Sequence, residues 1–218
     1  MWEPLHGLIA GADTPDPVRT HALWVAGTAV QNNPSAQAAY LALAPVPAVL
    51  AQLAPPASSQ TRAKAAYTLS ALAKHSAAGT AALGAAGAWP VLRGALGDSA
   101  LPVRRRAAFL LGTLLVPSGA LAQESAAEGG PSTHAPPVHA NTHAAMLVDP
   151  RSTDTSTATC AAFAEHGLGA ALVSAVVHPV PHGPAGDAEG DADFEEKAVQ
   201  WVSCISSSSL ADLFITAR

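Results

Sequence analysis

Val18-Arg19-Thr20-His21-Ala22-Leu23-Trp24 returns as Thr61-Arg62-Ala63-Lys64-Ala65-Ala66-Tyr67, and again as Val103-Arg104-Arg105-Arg106-Ala107-Ala108-Phe109. Each copy runs through a β-branched residue, Arg, a variable position, a basic residue or His, Ala, an apolar residue and an aromatic. Arg19, Arg62 and Arg104 stand 43 and 42 residues apart. Around each copy the apolar positions keep a helical beat. Ala22, Ala26 and Ala29 lie at i, i+4 and i+7, and so do Ala65, Leu69 and Leu72, and Ala107, Leu111 and Leu114. Three helices with one stripe at one offset can stack into a continuous core.

A period of about 40–47 residues with this helical texture marks armadillo and HEAT arrays. The chain therefore reads as all-α, an armadillo/HEAT-like superhelical solenoid of about four repeats. Such arrays present extended binding surfaces, which argues against an enzyme. Each unit is expected to hold a leading helix, a turn, a long helix, a polar loop and a short third helix. Leading helices are predicted over 2–9, 46–53 and 89–96, and long helices over 17–31, 60–75 and 101–115. Turns rich in Asp, Pro and Ser fall between them, and Asn32-Asn33-Pro34 stops the first long helix.

Residues 2–116 thus carry repeats one to three. Residues 117–157 are rich in Ser, Thr, Ala, Gly, Pro and His. They have too little apolar surface to offset their ordering entropy, so a disordered insertion is predicted there. Residues 158–205 resume with the third helix of unit three at 160–166. A leading helix at 168–177 and a divergent long helix at 194–205 follow. Residues 206–218 form a tail without repeat character.

Composition narrows the function further. The 218 residues hold 11 Lys and Arg against 16 Asp and Glu, a net charge of −5, which gives no general attraction to nucleic acid. Charged residues make up only 12% and the hydrophobic class 49%, much of it Ala, the best helix former. No apolar run approaches the roughly 18 residues of a membrane span. No secretory leader is recognisable, and Cys160 and Cys204 have no metal or redox spacing, so a cytoplasmic protein with reduced thiols is expected.

The repeated residues divide into three rows. Arg19, Arg62 and Arg104 each follow a turn, and Asp13 and Asp98 lie six residues before the first and third of them. That spacing suits a structural ladder, Asp13, Arg19, Arg62, Asp98 and Arg104, linking neighbouring units through the guanidinium fork. Pro56 stands where the second Asp would be, so the ladder is expected to be incomplete. His21, Lys64 and Arg106 lie two residues further on, about 200° round the helix, on a solvated face. Arg104-Arg105-Arg106 is the densest basic cluster. Trp24, Tyr67 and Phe109 are expected in the core, the alternative being a partly exposed aromatic ridge.

Catalytic and metal chemistry find no support. His134, His139 and His143 lack Cys companions and fall in the predicted insertion, far from the fixed four-ligand geometry of a zinc site. Gly84-Ala85-Ala86-Gly87 follows no strand and precedes no Lys-Ser/Thr pair, so it is not a phosphate loop. No metal, cofactor or catalytic residue is expected.

The segments Trp2-Glu3-Pro4-Leu5, His21 through Pro34, Arg62-Ala63-Lys64-Ala65, Trp89-Pro90-Val91-Leu92-Arg93 and Val103-Arg104-Arg105 resemble one family. It is that of the fungal armadillo-type nucleotide exchange factors for seventy-kilodalton heat-shock chaperones. The resemblance implies a curved helical array whose long helices grip one lobe of the chaperone's nucleotide-binding domain and promote ADP release. It implies a monomer, a chaperone partner, and no nucleic-acid or membrane partner. Carried over by position, the partner-binding residues are Arg105, Arg106, Lys64 and His21, with Asn32 and Asn33 as loop contacts. The alternative is a generic armadillo scaffold without exchange activity. A lumenal exchange factor would need a signal peptide on a longer parent chain.

Overall fold

The computed structural model describes residues 1–115, 155–178, 191–196 and 198. Every regular element among them is helical: α1 Trp2–Ala10, α2 Asp16–Val30, α3 Pro34–Leu41, α4 Val46–Ala51, α5 Ser59–Ala73, α6 Ala77–Ala85, α7 Ala88–Ala95, α8 Leu101–Leu115, α9 Ser156–His166 and α10 Leu168–Val177. A further turn of helix covers 192–196.

The helices fall into three-membered units, α1–α3, α4–α6 and α7–α9, with α10 opening the next. Like packs on like. The long helices α2, α5 and α8 lie side by side as the most extensive contacts of the molecule. Leading helices α1 and α4 touch, as do α7 and α10, and third helices α3, α6 and α9 touch in series. This is the nearest-neighbour stacking of a solenoid.

Local sequence explains the repeated joints. Asn33 and Ser76 cap α3 and α6 by accepting hydrogen bonds from the Ala36 and Gly79 amides. The residue before each cap, Asn32 or His75, takes a left-handed conformation with φ 53°. The turn from third helix to leading helix is left-handed too. Gly87 and Gly167 supply it at φ 68° and 62°, while Ala44 does so at 48°.

Small residues set the spacing between long helices. A Cβ on Gly27 of α2 would lie 2.7 Å from the Tyr67 ring and 3.2 Å from Thr68 Cα of α5. Ala22, Leu23 and Ala26 face Ala65, Ala66 and Leu69, which continue to Ala107, Ala108 and Leu111, all within one core. Polar bonds cross the same seams. Thr68 Oγ1 donates to the Leu23 carbonyl at 2.7 Å, and Gln37 Nε2 of α3 donates to the Ala71 carbonyl at 2.8 Å.

The boundary near 157 needs correction. The predicted insertion, 117–157, lies outside the described residues except for 155–157, and these are ordered. Helix α9 begins at Ser156, and Thr155 is buried with Oγ1 donating to the Leu114 carbonyl at 2.9 Å. Thr159 Oγ1 likewise reaches the Thr155 carbonyl at 2.7 Å. Hydroxyls satisfied by backbone let this Ser/Thr-rich start pack without large apolar side chains. Of the fourth long helix expected over 194–205, only 194–196 and 198 are described, with Phe194 and Ala198 in the core. The tail at 206–218 lies outside the described residues.

Two glycines in helices should respond oppositely to Ala. A Cβ at Gly79 would lie 2.8 Å from Ala73 Cα, so Gly79→Ala should cost about 1–3 kcal/mol. A Cβ at Gly7 meets nothing within 4 Å, so Gly7→Ala should stabilise by about 0.5–1 kcal/mol. Urea denaturation of the two variants checks both signs.

Candidate protein-binding interface

The aromatic row does not lie in the core. Trp24 is 50% and Phe109 39% exposed, and Tyr67 is half-buried. The reason is geometric. Positions 22–23, 65–66 and 107–108 already fill the seams between long helices, and the next residue turns a further 100° outward. The same turn brings the aromatic beneath the basic residue three positions earlier. His21 and Trp24, Lys64 and Tyr67, and Arg106 and Phe109 are i, i+3 neighbours on one face.

The long helices therefore present one ridge of alternating cations and rings. Lys64 Nζ sits 4.4 Å from the Trp24 ring centroid on the neighbouring helix and 5.8 Å from that of Tyr67. Arg106 lies 5.4 Å from the Tyr67 centroid in turn. His21 and Trp24 are 6.4 Å apart between centroids. Tyr67 donates to Gln31 Oε1 at 2.9 Å, which ties the ring to the end of α2. Cation–π contacts at such partly exposed sites are worth about 0.5–1 kcal/mol each. Partial burial, with the Arg106 charge adding to it, holds the Lys64 ammonium below its ordinary pKa.

The other expected partner residues take different places. Arg105 leaves the ridge: its guanidinium meets Asp191 at 2.8–2.9 Å and Asp193 at 3.1 Å. The Asp191 side chain is 5% exposed and also accepts from the Phe194 amide, so one carboxylate both caps the helical turn at 192–196 and fastens it to α8. Burial pushes the Asp191 carboxyl up. Hydrogen bonds from Arg105 and the Phe194 amide, with the Arg105 and Arg104 charges, outweigh this and hold it below the usual range. Asn33 spends its side-chain oxygen on the α3 cap, and Asn32 stands exposed beside Gln31 at the ridge's end.

The Arg row is set apart from this surface. Arg62 grips Asp98 of the following unit with two hydrogen bonds of 2.8 Å. Arg19 has Pro56 opposite that position and donates instead to the Gly11 carbonyl of its own unit at 2.6 Å. Asp13 is exposed, because no described unit precedes it with an Arg. The first seam uses another pair. Thr61 Oγ1 donates to Asp16 at 2.9 Å, and the Asp16 carboxyl is held low by hydrogen bonding from Ser58 and then Thr61 against the opposing effect of burial. Arg104 is buried beside Asp191.

Among the described residues, no group of three or more His, Cys, Asp or Glu could hold a metal ion. His134, His139 and His143 lie outside them.

The architecture is that of an armadillo-class helical-repeat protein. An engineered protein of known crystal structure superposes with a TM-score of 0.52 at 18% identity, over 99% of this chain and 85% of its own. A designed armadillo repeat protein gives 0.51 at 14% identity, over 98% and 88%. In sequence the chain is similar to the Hsp70 nucleotide exchange factor FES1 of Mycosarcoma maydis. The two are 40% identical over 116 residues, 53% of this chain and 29% of the relative. The Hsp70 nucleotide exchange factor FES1 of Cryptococcus neoformans var. neoformans serotype D (strain B-3501A) is 40% identical over 129 residues, 55% and 34% of the two chains. The chain spans about a third of the length of these curated relatives. No protein-family profile matches it.

Two outcomes follow for the ridge and its neighbour. Trp24→Ala should cost no more than about 1 kcal/mol of stability, whereas Leu23→Ala, fully buried one residue away, should cost about 2–5 kcal/mol. Thermal melts of the pair separate a surface ring from a core side chain. The Asp191 contact contributes stability above the ordinary carboxylate pKa of about 4 and loses it as pH falls through the lower folded value. The protection of the 192–196 amides, corrected for the intrinsic exchange rate, should fall on acidification, and Asp191→Asn should remove most of it at neutral pH.

Proposed function

We propose that this chain is a nucleotide exchange factor that binds the nucleotide-binding domain of an Hsp70 chaperone through the ridge on its long helices and promotes ADP release. The observation that carries this reading is the 40% identity to two fungal proteins bearing that name. The row of His21, Lys64 and Arg106 interleaved with Trp24, Tyr67 and Phe109, exposed or half-buried on one face, supports it, because aromatics and Arg are typical interface anchors. Asn32 extends the contact at the loop end. The protein makes and breaks no bond. It favours the chaperone conformation with the opened nucleotide cleft by binding it more tightly than the closed one, and that difference alone drives the exchange.

On this reading the protein works as a monomer in the cytoplasm. The single-faced ridge suits one partner at a time, and the buried thiol of Cys160 fits a reducing compartment.

Release of labelled ADP from a cytosolic Hsp70 nucleotide-binding domain tests the proposal. The chain should accelerate release and weaken ADP affinity by about tenfold, within the ~1–3 kcal/mol common for such coupling. Linkage adds a second readout: saturating ADP must weaken binding of the chain by the same factor. A folded chain that binds the domain with no effect on ADP would leave only a scaffold.

A further inference from the structure

Beside the ridge, between α5 and α8, lies a cleft of ≈ 280 Å³ bordered by Lys64, Tyr67, Arg106, Pro102, Ser59 and Gln60, among others. No carboxylate among the described residues lines it. Its lining includes Ser59 and Gln60 of the first turn of α5, the positive end of a 15-residue helix. Acids outnumber bases in this chain, and other cations on the same two helices have found them: Arg62 holds Asp98, and Arg105 holds Asp191 and Asp193. Lys64 and Arg106 form no ion pair among the described residues, although they are close enough for the Arg106 charge to disfavour the ammonium. Aromatic faces neutralise neither charge; they only fix where the cations sit.

We propose that this cleft receives an acidic side chain of the protein partner, its carboxylate clamped between Lys64 and Arg106 and flanked by the Tyr67 ring. The volume is at or below the usual small-molecule range and suits one or two side chains rather than a cofactor. A carboxylate there relieves the repulsion between the two cations and gains a donor from each. Both are already positioned by the rings beneath them, so less side-chain freedom is lost on binding. The inference rests on the ridge being the partner-binding surface and adds the feature of the partner that it reads.

Two arms test it on the full chain. In the first, a short fluorescent peptide carrying adjacent Glu residues and its Gln counterpart are titrated by anisotropy at low and high salt. The Glu peptide should bind, weaken as salt rises and lose about tenfold in affinity with Lys64→Gln/Arg106→Gln, while the Gln peptide should not bind. In the second, the same double variant should lose about tenfold in affinity for the Hsp70 nucleotide-binding domain, and Lys64→Arg/Arg106→Lys should restore most of it. Both positions lie outside the core, so helical circular dichroism should be unchanged.

Equal binding of the two peptides, no binding of either, or a double variant as good as the parent overturns the inference. A chain that drives ADP release undiminished by the double substitution refutes the cleft and leaves the exchange reading standing. A chain that binds the Glu peptide through these residues but leaves ADP untouched does the reverse.

Discussion

The close approach of three long helices is the constraint from which the rest follows. Gly27 allows no side chain where α2 meets Tyr67 and Thr68, and the seams on either side are built mainly from Ala and Leu. Packing at this distance brings backbone near backbone. It gains dispersion along the whole 15-residue length, and the seam positions are filled mainly by small or aliphatic side chains. The aromatic of each long helix turns outward from the seam, Tyr67 lying against Gly27 at its edge.

Function grows from that outward turn. A helical repeat places the same residue types at the same offset on successive helices, so an outward ring beside an outward cation becomes a row rather than an accident. The spacing lets the cation of one helix lie over the ring of the preceding one, as Lys64 does over Trp24 and Arg106 over Tyr67. The row is ordered before any partner arrives, and it carries charges that the chain's own acids leave unanswered among the described residues. A rigid surface of this kind can spend its binding energy on the shape of its partner instead of on its own ordering.

Much of this was legible in the sequence, because period and helical beat are properties of the sequence. The repeat spacing gave the stack, and the stripe from Ala22 through Leu114 marks the buried face, with only Ala29 half-exposed. The aromatic row was misplaced because a stripe shows which direction is inward and not how wide the seam is. The decisive signal was present as well: His21 and Trp24, Lys64 and Tyr67, Arg106 and Phe109 share one spacing of three, which forces each ring onto its cation's face. Two other features were hidden for a different reason. Arg105 finds Asp191 86 residues away, and Thr155 finds Leu114 across 41, pairings of residues that have no counterpart in the repeated segment.

That last pair explains why the third unit tolerates the separation of its helices in sequence. Leu114, at the end of α8, and Thr155, just before α9, are neighbours, the Thr155 hydroxyl bonding the Leu114 carbonyl. Closing a longer connection between adjacent points costs only about 0.6 kcal/mol per doubling of its length. Helix α9 then takes the place that α3 and α6 hold in their units, against α6, α7 and α8. Further along, Asp191 repeats the device by fastening the next returning segment to Arg105. Helix α9 and the turn at 192–196 are thus both tied to α8 by side-chain hydrogen bonds, and the end of the ridge at Arg106 and Phe109 is carried by that same helix.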